Sequence, residues 1–223
     1  RKEEARDHLR RILRQAGTYR SLSAAWRLAA ASAGISDGRS LFHQALAHLP
    51  SPGHDEDRLV ALLGLAHHAE QGSDLEQTRH RLDEALQICL THSDTPNCAL
   101  VSSLLGNLTL CMGRPKEALS HLQRAFALAA ELQDSLSILS QGSILAGLLL
   151  SMSRHEEAQR IGDTMRDAAL QRKNWLGYTD AQLLLSECAL QLEGLHAAVQ
   201  RLCKARLELI RLKGSPAAVS LLI

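Results

Sequence analysis

Residues 111–118 read Cys-Met-Gly-Arg-Pro-Lys-Glu-Ala, and residues 151–158 read Ser-Met-Ser-Arg-His-Glu-Glu-Ala. The two stretches match at an offset of 40 residues, and residues 191–198 continue the series. Gly113 is suited to end one helix and Pro115 to begin the next, so the first stretch predicts a tight turn between helices. Two helices joined by so short a turn are expected to lie antiparallel and to share a buried face.

One small side chain recurs at the same 40-residue interval. Met165 interrupts a series that is otherwise alanine, namely Ala45, Ala85, Ala125 and Ala205. A spacing kept through five repeats indicates a stack of helix hairpins, because one hairpin alone cannot bury both of its apolar faces. We expect two helices to approach most closely at this position. In the fourth repeat we expect Gly162 and Met165 to exchange sizes, which would roughly conserve the volume.

Apolar residues spaced at i, i+3, i+4 and i+7 predict helices along the whole chain. The predicted fold class is all-α, an α-α superhelix (solenoid) of about five antiparallel helix hairpins in a single domain over residues 1–223. A first amphipathic helix is predicted at 2–16. The predicted pairs are 20–33 with 38–49, 56–71 with 74–91, 97–112 with 115–132, 136–152 with 154–172, and 177–192 with 195–212, so the repeats span 20–49, 56–91, 97–132, 136–172 and 177–212. Residues 217–223 resemble the start of a sixth pair, and we therefore expect the chain to be a fragment of a longer protein.

Composition argues against several classes of function. The 223 residues carry a net charge of +1 and are only 3% aromatic, which makes nucleic-acid binding unlikely. No apolar run approaches the roughly 18 residues that a membrane span needs. The five cysteines form no C-x-x-C pair, so we expect free cysteines and a reducing, cytoplasmic compartment.

Charge is concentrated at the beginning of the chain. Residues 1–27 hold eight basic and three acidic side chains, a balance of +5, which leaves −4 for the other 196 residues. Such a basic helix can dock on an acidic partner or an anionic surface. The alternative is a solvated face held by ion pairs along the helix.

The residues that could carry chemistry do not form a recognisable constellation. His155 begins a stretch that lacks the second histidine of H-E-x-x-H. Cys89 and His92 are three residues apart and could meet on a helix, but nothing nearby supplies an oxyanion site. We therefore predict no catalytic residues, no metal site and no cofactor.

The segment Leu104-Leu105-Gly106-Asn107, followed by Gly113, Ala118, Leu122 and Ala125, resembles the signature of the tetratricopeptide repeat family. The resemblance covers residues 56–212 well and 20–49 weakly. Ser102 and Thr109 stand where the family often has tryptophan and tyrosine. The period is 40 against the usual 34, and longer repeats of this kind are similar to those in helical arms of signalling regulators.

This resemblance implies a function in binding. In such arrays the first helix of each pair lines a concave groove that takes an extended peptide or a partner helix. The groove positions carried over from the family are Ala61, Leu65, His68, Ser103, Asn107, Leu110, Ser143, Gly147, Leu150, Leu183, Glu187 and Leu190. Only Asn107 offers an amide to the backbone of an extended ligand, and an ordinary solvated asparagine is the alternative.

Two functions remain open at this point. The first is a non-catalytic protein–protein interaction scaffold that binds a peptide or helix in its groove. The second is a sensor or regulatory arm of a larger signal-transduction or transcription regulator, which would respond to a small molecule or an inhibitory protein. Because the last residues are apolar, self-association through the repeat ends is also expected.

Overall fold

Seven helices follow one another at a regular interval in the computed structural model, which describes residues 58–59, 61–63, 65 and 75–213. Within this part of the chain there are helices and turns but no strand. The predicted bounds of the seven helices are confirmed to within two residues. They are α1 (Leu75–Thr91), α2 (Thr95–Cys111), α3 (Pro115–Glu131), α4 (Ser135–Ser151), α5 (His155–Gln171), α6 (Trp175–Leu192) and α7 (Leu195–Lys213).

Some predicted elements lie outside the described residues. These are the helix at 2–16, the pair within 20–49, the start of a further pair at 217–223 and most of the helix at 56–71. The chain divides into two compact units, residues 1–113 and residues 114–223. The single domain over 1–223 stays a prediction.

The turns between helices are nearly identical, and they explain the 40-residue period. Helices α1 to α5 are each 17 residues long. Three residues separate each of these helices from the next, so one helix and its turn occupy 20 residues. Each turn contains one residue with a positive φ, between 53° and 94°, which reverses the chain at the end of the helix. These residues are Ser93, Gly113, Gln133, Ser153, Lys173 and Gly194.

The first residues of the helices alternate in chemistry. Asp94, Asp134 and Asn174 cap α2, α4 and α6, because each side chain accepts a hydrogen bond from a backbone N–H of the first turn. Helix α5 has no such cap, and Arg154 at this position instead lies 2.6 Å from Glu157. The first helix of each pair therefore differs from the second in its N-terminal cap.

In the first unit, α1 packs against α2. Arg58 forms an ion pair with Glu84 of α1, which connects the preceding helical residues to this hairpin. Ser102 and Thr109 of α2 are fully buried, and the Thr109 hydroxyl donates to the Leu105 carbonyl at 2.7 Å. Small polar residues thus occupy interior positions where the family often has large aromatic ones.

In the second unit, consecutive helices from α3 to α7 pack against one another, and α4 also contacts α6. This pattern is that of stacked hairpins, in which alternate helices form one layer. Ala125, Met165 and Ala205 are all buried at 0 or 1% exposure. The recurrent position is therefore a core position in every repeat of this unit.

Met165 is accommodated differently from the prediction. A Cβ built on Gly142 of α4 would lie 2.6 Å from the Met165 Cγ, so the missing side chain of Gly142 provides the space for the methionine. Gly162 instead faces Leu185 of α6, whose Cδ2 would lie 2.9 Å from an added Cβ. The predicted exchange of sizes between Gly162 and Met165 is thus wrong, since the compensation comes from the neighbouring helix.

A buried polar group joins the last two helices. Tyr178 of α6 is fully buried, and its hydroxyl donates to Glu208 of α7. The Gln182 side-chain amide donates to the same hydroxyl at 2.9 Å. Burial, together with the hydrogen bond to Glu208, raises the pKa of Tyr178 to about 12.

Candidate functional site

Helices α4, α6 and α7 border an open cleft of about 570 Å³ in the second unit. On α4 and on α6 the predicted groove residues are spaced i, i+4 and i+7, which places them on one face of each helix. The structure brings six of the predicted residues together in this lining: Ser143, Gly147, Leu150, Leu183, Glu187 and Leu190.

Helix α7 contributes residues that the sequence analysis missed. Leu195, Val199 and Leu202 belong to the lining of the same cleft, although the second helix of a pair was not expected to face a ligand. A signal was present in the repeat alignment, because Leu195 and Val199 stand where the preceding repeat has His155 and Gln159. Among the described repeats, this is the one with a large apolar side chain at both positions, since the earlier pairs are Leu75 with Arg79, Pro115 with Leu119, and His155 with Gln159.

The cleft exposes large apolar side chains to solvent. Leu183 and Leu190 of α6 are 50% and 43% exposed, and Leu195 and Val199 of α7 are 70% and 48% exposed. Isolated exposed leucines are common on protein surfaces, whereas a cluster of them in a concavity is typical of a binding site. This clustering distinguishes the cleft as the candidate functional site.

The polar side chains of the cleft are two carboxylates and two hydroxyls. Asp180 and Glu187 are exposed carboxylates of α6. The Ser143 hydroxyl donates to the Leu139 carbonyl at 3.0 Å, and the Ser186 hydroxyl donates to the Gln182 carbonyl at 2.7 Å. Both hydroxyl protons are thus used within their own helices.

The other predicted groove residues lie in the first unit or outside the described chain. Ala61 and Leu65 are 2% and 0% exposed. These two side chains therefore belong to the core and not to an exposed groove. Ser103 is buried, whereas Asn107 and Leu110 are half-buried on α2. His68 is outside the described residues.

The thiol considered for catalysis is unsuited to it. Cys89 is fully buried, and burial raises the pKa of its thiol to about 12. A nucleophilic cysteine needs a depressed pKa, so Cys89 and His92 do not form an activated pair.

Within the described part of the chain, no group of three or more His, Cys, Asp or Glu side chains lies close enough together to hold a metal ion. No helix within 75–213 or the short described segments before it is long and apolar enough to cross a membrane.

A second cleft, of about 550 Å³, is bordered by α5, α6 and α7. Two of its three basic side chains, Arg166 and Arg201, form ion pairs with nearby carboxylates. The Arg166 guanidinium lies 2.7 Å from the Asp163 carboxylate and 2.9 Å from the Asp167 carboxylate. The Arg201 guanidinium lies 3.9 Å from the Glu193 carboxylate. This cleft is therefore a weaker candidate for a charged ligand.

Comparisons with known proteins agree with the repeat architecture. A family model described as tetratricopeptide repeat matches residues 57–131. No curated protein sequence matches the chain. Among solved structures, BtubC (BKLC) from P. vanneervenii is 15% identical with a TM-score of 0.67, over 96% of this chain and 90% of that chain.

Two further solved structures are similar. YrrB, described as a TPR protein with an unusual peptide-binding site, is 16% identical with a TM-score of 0.59, over 89% of this chain and 88% of that chain. A Signal Transduction ATPase with Numerous Domains from Pyrococcus horikoshii, with a tetratricopeptide repeat sensor, is 14% identical with a TM-score of 0.66. That match covers 89% of this chain and 31% of the ATPase.

At these identities the structural likeness shows the fold alone, and the sequence match identifies tetratricopeptide repeats over residues 57–131. Tetratricopeptide repeats are generally non-catalytic, and the match supports a protein-interaction scaffold as the broad function. Residues 57–131 therefore match the tetratricopeptide repeat family, and the stacked helix hairpins of the described residues share the fold of solved tetratricopeptide repeat proteins.

Proposed function

We propose that the chain is a non-catalytic protein–protein interaction scaffold that binds a peptide or a partner helix in the cleft of α4, α6 and α7. The observation that carries this proposal is the cluster of exposed apolar side chains in that cleft, led by Leu183, Leu190 and Leu195. Large apolar side chains in a concavity gain most when a partner removes them from water. Six residues selected from the family's groove positions lie in this cleft, which supports the same assignment.

Two further observations support the proposal. YrrB has the same fold and is described as having a peptide-binding site. None of the five cysteines forms a disulfide, and the pKa of Cys89 is raised by burial. Free thiols fit a reducing compartment, so a cytoplasmic location is part of the proposal. The partner is a protein or peptide rather than nucleic acid. Self-association through the repeat ends is a separate part of the proposal.

Affinity capture with a matched pair of variants tests the proposal. Leu183→Glu together with Leu190→Glu places two charges in the cleft. Leu176→Glu places one charge on the same helix at a side chain that is 63% exposed and outside the cleft lining. The expected result is a protein captured from native lysate by wild type and by Leu176→Glu, and lost by the folded double variant. The purified partner must then show the same order of affinities.

The opposite outcome is equally clear. If the folded double variant captures the same proteins as wild type with the same affinity, the cleft is not the binding surface. Far-ultraviolet circular dichroism and the urea midpoint of each variant establish that all three chains are folded before capture.

A sensor or regulatory arm is the second candidate function. The tetratricopeptide repeat sensor protein from Pyrococcus horikoshii matches 89% of this chain in fold, and a cleft of about 570 Å³ falls within the usual range of small-molecule sites. Native mass spectrometry of the chain purified from its own cells tests this candidate. A retained small molecule that Leu183→Glu releases would favour the sensor, whereas an empty chain with a cleft-bound protein partner would favour the scaffold.

A further inference from the structure

The cleft of α4, α6 and α7 has the wrong polar groups for holding an extended peptide. An extended peptide needs donors for its carbonyls and acceptors for its N–H groups, because buried backbone groups without partners are costly. Among the described residues that line the cleft, none is Asn, Gln, Lys or Arg. The hydroxyl protons of Ser143 and Ser186 are already donated to carbonyls of their own helices. The lining therefore offers no side-chain donor that is free for a peptide carbonyl.

A helical partner does not have this requirement. An α-helix satisfies its interior backbone groups with its own i to i−4 hydrogen bonds, so it presents only side chains to the cleft. Leu183 and Leu190 of α6 are seven residues apart, and Leu195 and Val199 of α7 are four apart. These are the spacings at which one face of an amphipathic helix repeats its apolar side chains.

The charge of the cleft adds a second constraint. Asp180 and Glu187 are exposed acidic residues of α6, and no basic residue among the described lining compensates them. They are seven residues apart, which corresponds to about 10.5 Å along a helix. Two basic side chains separated by two helical turns would match both carboxylates at once.

We propose that the partner of this cleft is an amphipathic helix with a leucine-type apolar stripe and two Lys or Arg residues spaced two turns apart. This inference rests on the proposed scaffold function and names the chemistry of its partner. The apolar stripe packs on Leu183, Leu190 and Val199, and the basic pair meets Asp180 and Glu187. The apolar contacts supply most of the affinity, and the charges select the sequence and orientation of the helix.

Selection from a random peptide library tests the inference without a known partner. Displayed peptides of about 18 residues, five helical turns, are selected on the full chain and counter-selected on the chain carrying Leu183→Glu and Leu190→Glu. The enriched sequences are expected to repeat apolar residues with a helical period and to carry Lys or Arg seven positions apart. Two prolines placed in the middle of an enriched peptide are expected to abolish its binding.

Synthetic peptides from the selection then allow a charge-exchange test. Fluorescence anisotropy of the labelled peptide is expected to show at least about tenfold weaker binding to Leu190→Glu and unchanged binding to Leu176→Glu. On the chain carrying Asp180→Lys and Glu187→Lys, binding is expected to weaken by about tenfold at low salt, as for two exposed ion pairs. A peptide with glutamates in place of its two basic residues is expected to recover affinity on that chain.

The outcomes separate this inference from the scaffold function. Enriched peptides that bind the cleft but lack a helical period, contain proline or are acidic would overturn the inference and leave the scaffold intact. Failure to enrich any peptide dependent on Leu183 and Leu190 would overturn both. A chain that forms dimers in sedimentation experiments, and that Leu190→Glu converts to monomers, would identify a second copy as the occupant and also overturn the inference.

Discussion

Replacement of Gly142 by alanine is a direct test of how the fourth repeat is packed. Gly142 lies in the interior of α4 and faces the buried Met165 of α5. An added Cβ would lie 2.6 Å from the Met165 Cγ, 2.7 Å from its Sδ and 3.1 Å from the Phe126 Cε2. Such separations are too short for carbon atoms, so the methionine or the helix must move.

The expected magnitude is the sum of two opposing effects. Glycine to alanine within a helix stabilises by about 0.5–1 kcal/mol because the unfolded backbone loses freedom. Overpacking a well-packed core costs about 1–3 kcal/mol. Gly142→Ala is therefore expected to lower the free energy of unfolding by about 1 kcal/mol. Gly147 of the same helix has nothing within 4 Å of an added Cβ, so Gly147→Ala is expected to raise that free energy by about 0.5–1 kcal/mol.

A second substitution isolates the contact with Met165. Met165→Ala restores the alanine of the other repeats and, by itself, leaves a cavity that costs about 2–5 kcal/mol. Combined with Gly142→Ala it removes the clash and fills part of the space. The double variant is expected to be more stable than the sum of the two single changes by about 0.5–3 kcal/mol.

Urea unfolding followed by circular dichroism measures these differences, with the m-value checked for constancy among variants. If Gly142→Ala and Gly147→Ala raise the stability equally, the close approach of α4 to Met165 is refuted. If the double variant equals the sum of its single changes, Gly142 and Met165 are not coupled, and the space for the methionine comes from elsewhere.

Four other expectations follow from the same structure. Ala125→Leu should overpack the core and lower the free energy of unfolding by about 1–3 kcal/mol, and an unchanged urea midpoint would count against the repeat register. Asp134→Ala should cost about 1 kcal/mol by loss of the α4 cap. The hydrogen bond from Ser137 lowers the pKa of Asp134. The stabilisation by this carboxylate is therefore present above the unfolded-state pKa of about 4 and is lost as pH falls through the lower folded-state pKa. Equal stabilities of wild type and Asp134→Ala at neutral pH would contradict the cap. Tyr178 has a folded-state pKa of about 12, so its neutral hydroxyl stabilises the fold below pH about 10, and this stabilisation is lost as pH rises through about 12. Tyr178→Phe should remove this dependence of the free energy of unfolding on pH in the alkaline range. An unaltered dependence would be evidence against it. A thiol reagent should modify the exposed Cys111 in the folded chain and reach the buried Cys89 only on unfolding. Equal modification rates of the two thiols, mapped by mass spectrometry, would contradict the burial of Cys89.

The sequence predicts the helices well because their ends are marked locally. Gly113 and Pro115 bound one turn by their own backbone preferences, and the 40-residue offset transfers that turn to other repeats. The capping side chains Asp94, Asp134 and Asn174 recur at the same interval and would have sharpened the predicted helix starts. Local chemistry repeated in register is thus sufficient to position the helices.

Packing between helices is less accessible from the sequence. The space for Met165 comes from Gly142, which belongs to a different helix, and one-dimensional alignment cannot tell which glycine lies opposite a given side chain. The site shows the same limit. The cleft residues of α4 and α6 can be predicted from the sequence because each set lies on one face of a single helix. The presence of Leu195 in the cleft depends on how α7 packs beside α6.

The uniform turns of the second unit also have a mechanical consequence. Each helix there contacts mainly the helices next to it. From α3 to α6, each helix and its following turn together contain 20 residues. Because stability in such a stack is a sum of contributions from neighbouring elements, we expect the unit to unfold in equal increments under tension applied along the chain. One increment corresponds to about 70 Å of extended chain, so we expect a helical stack of this kind to lengthen in steps of that size.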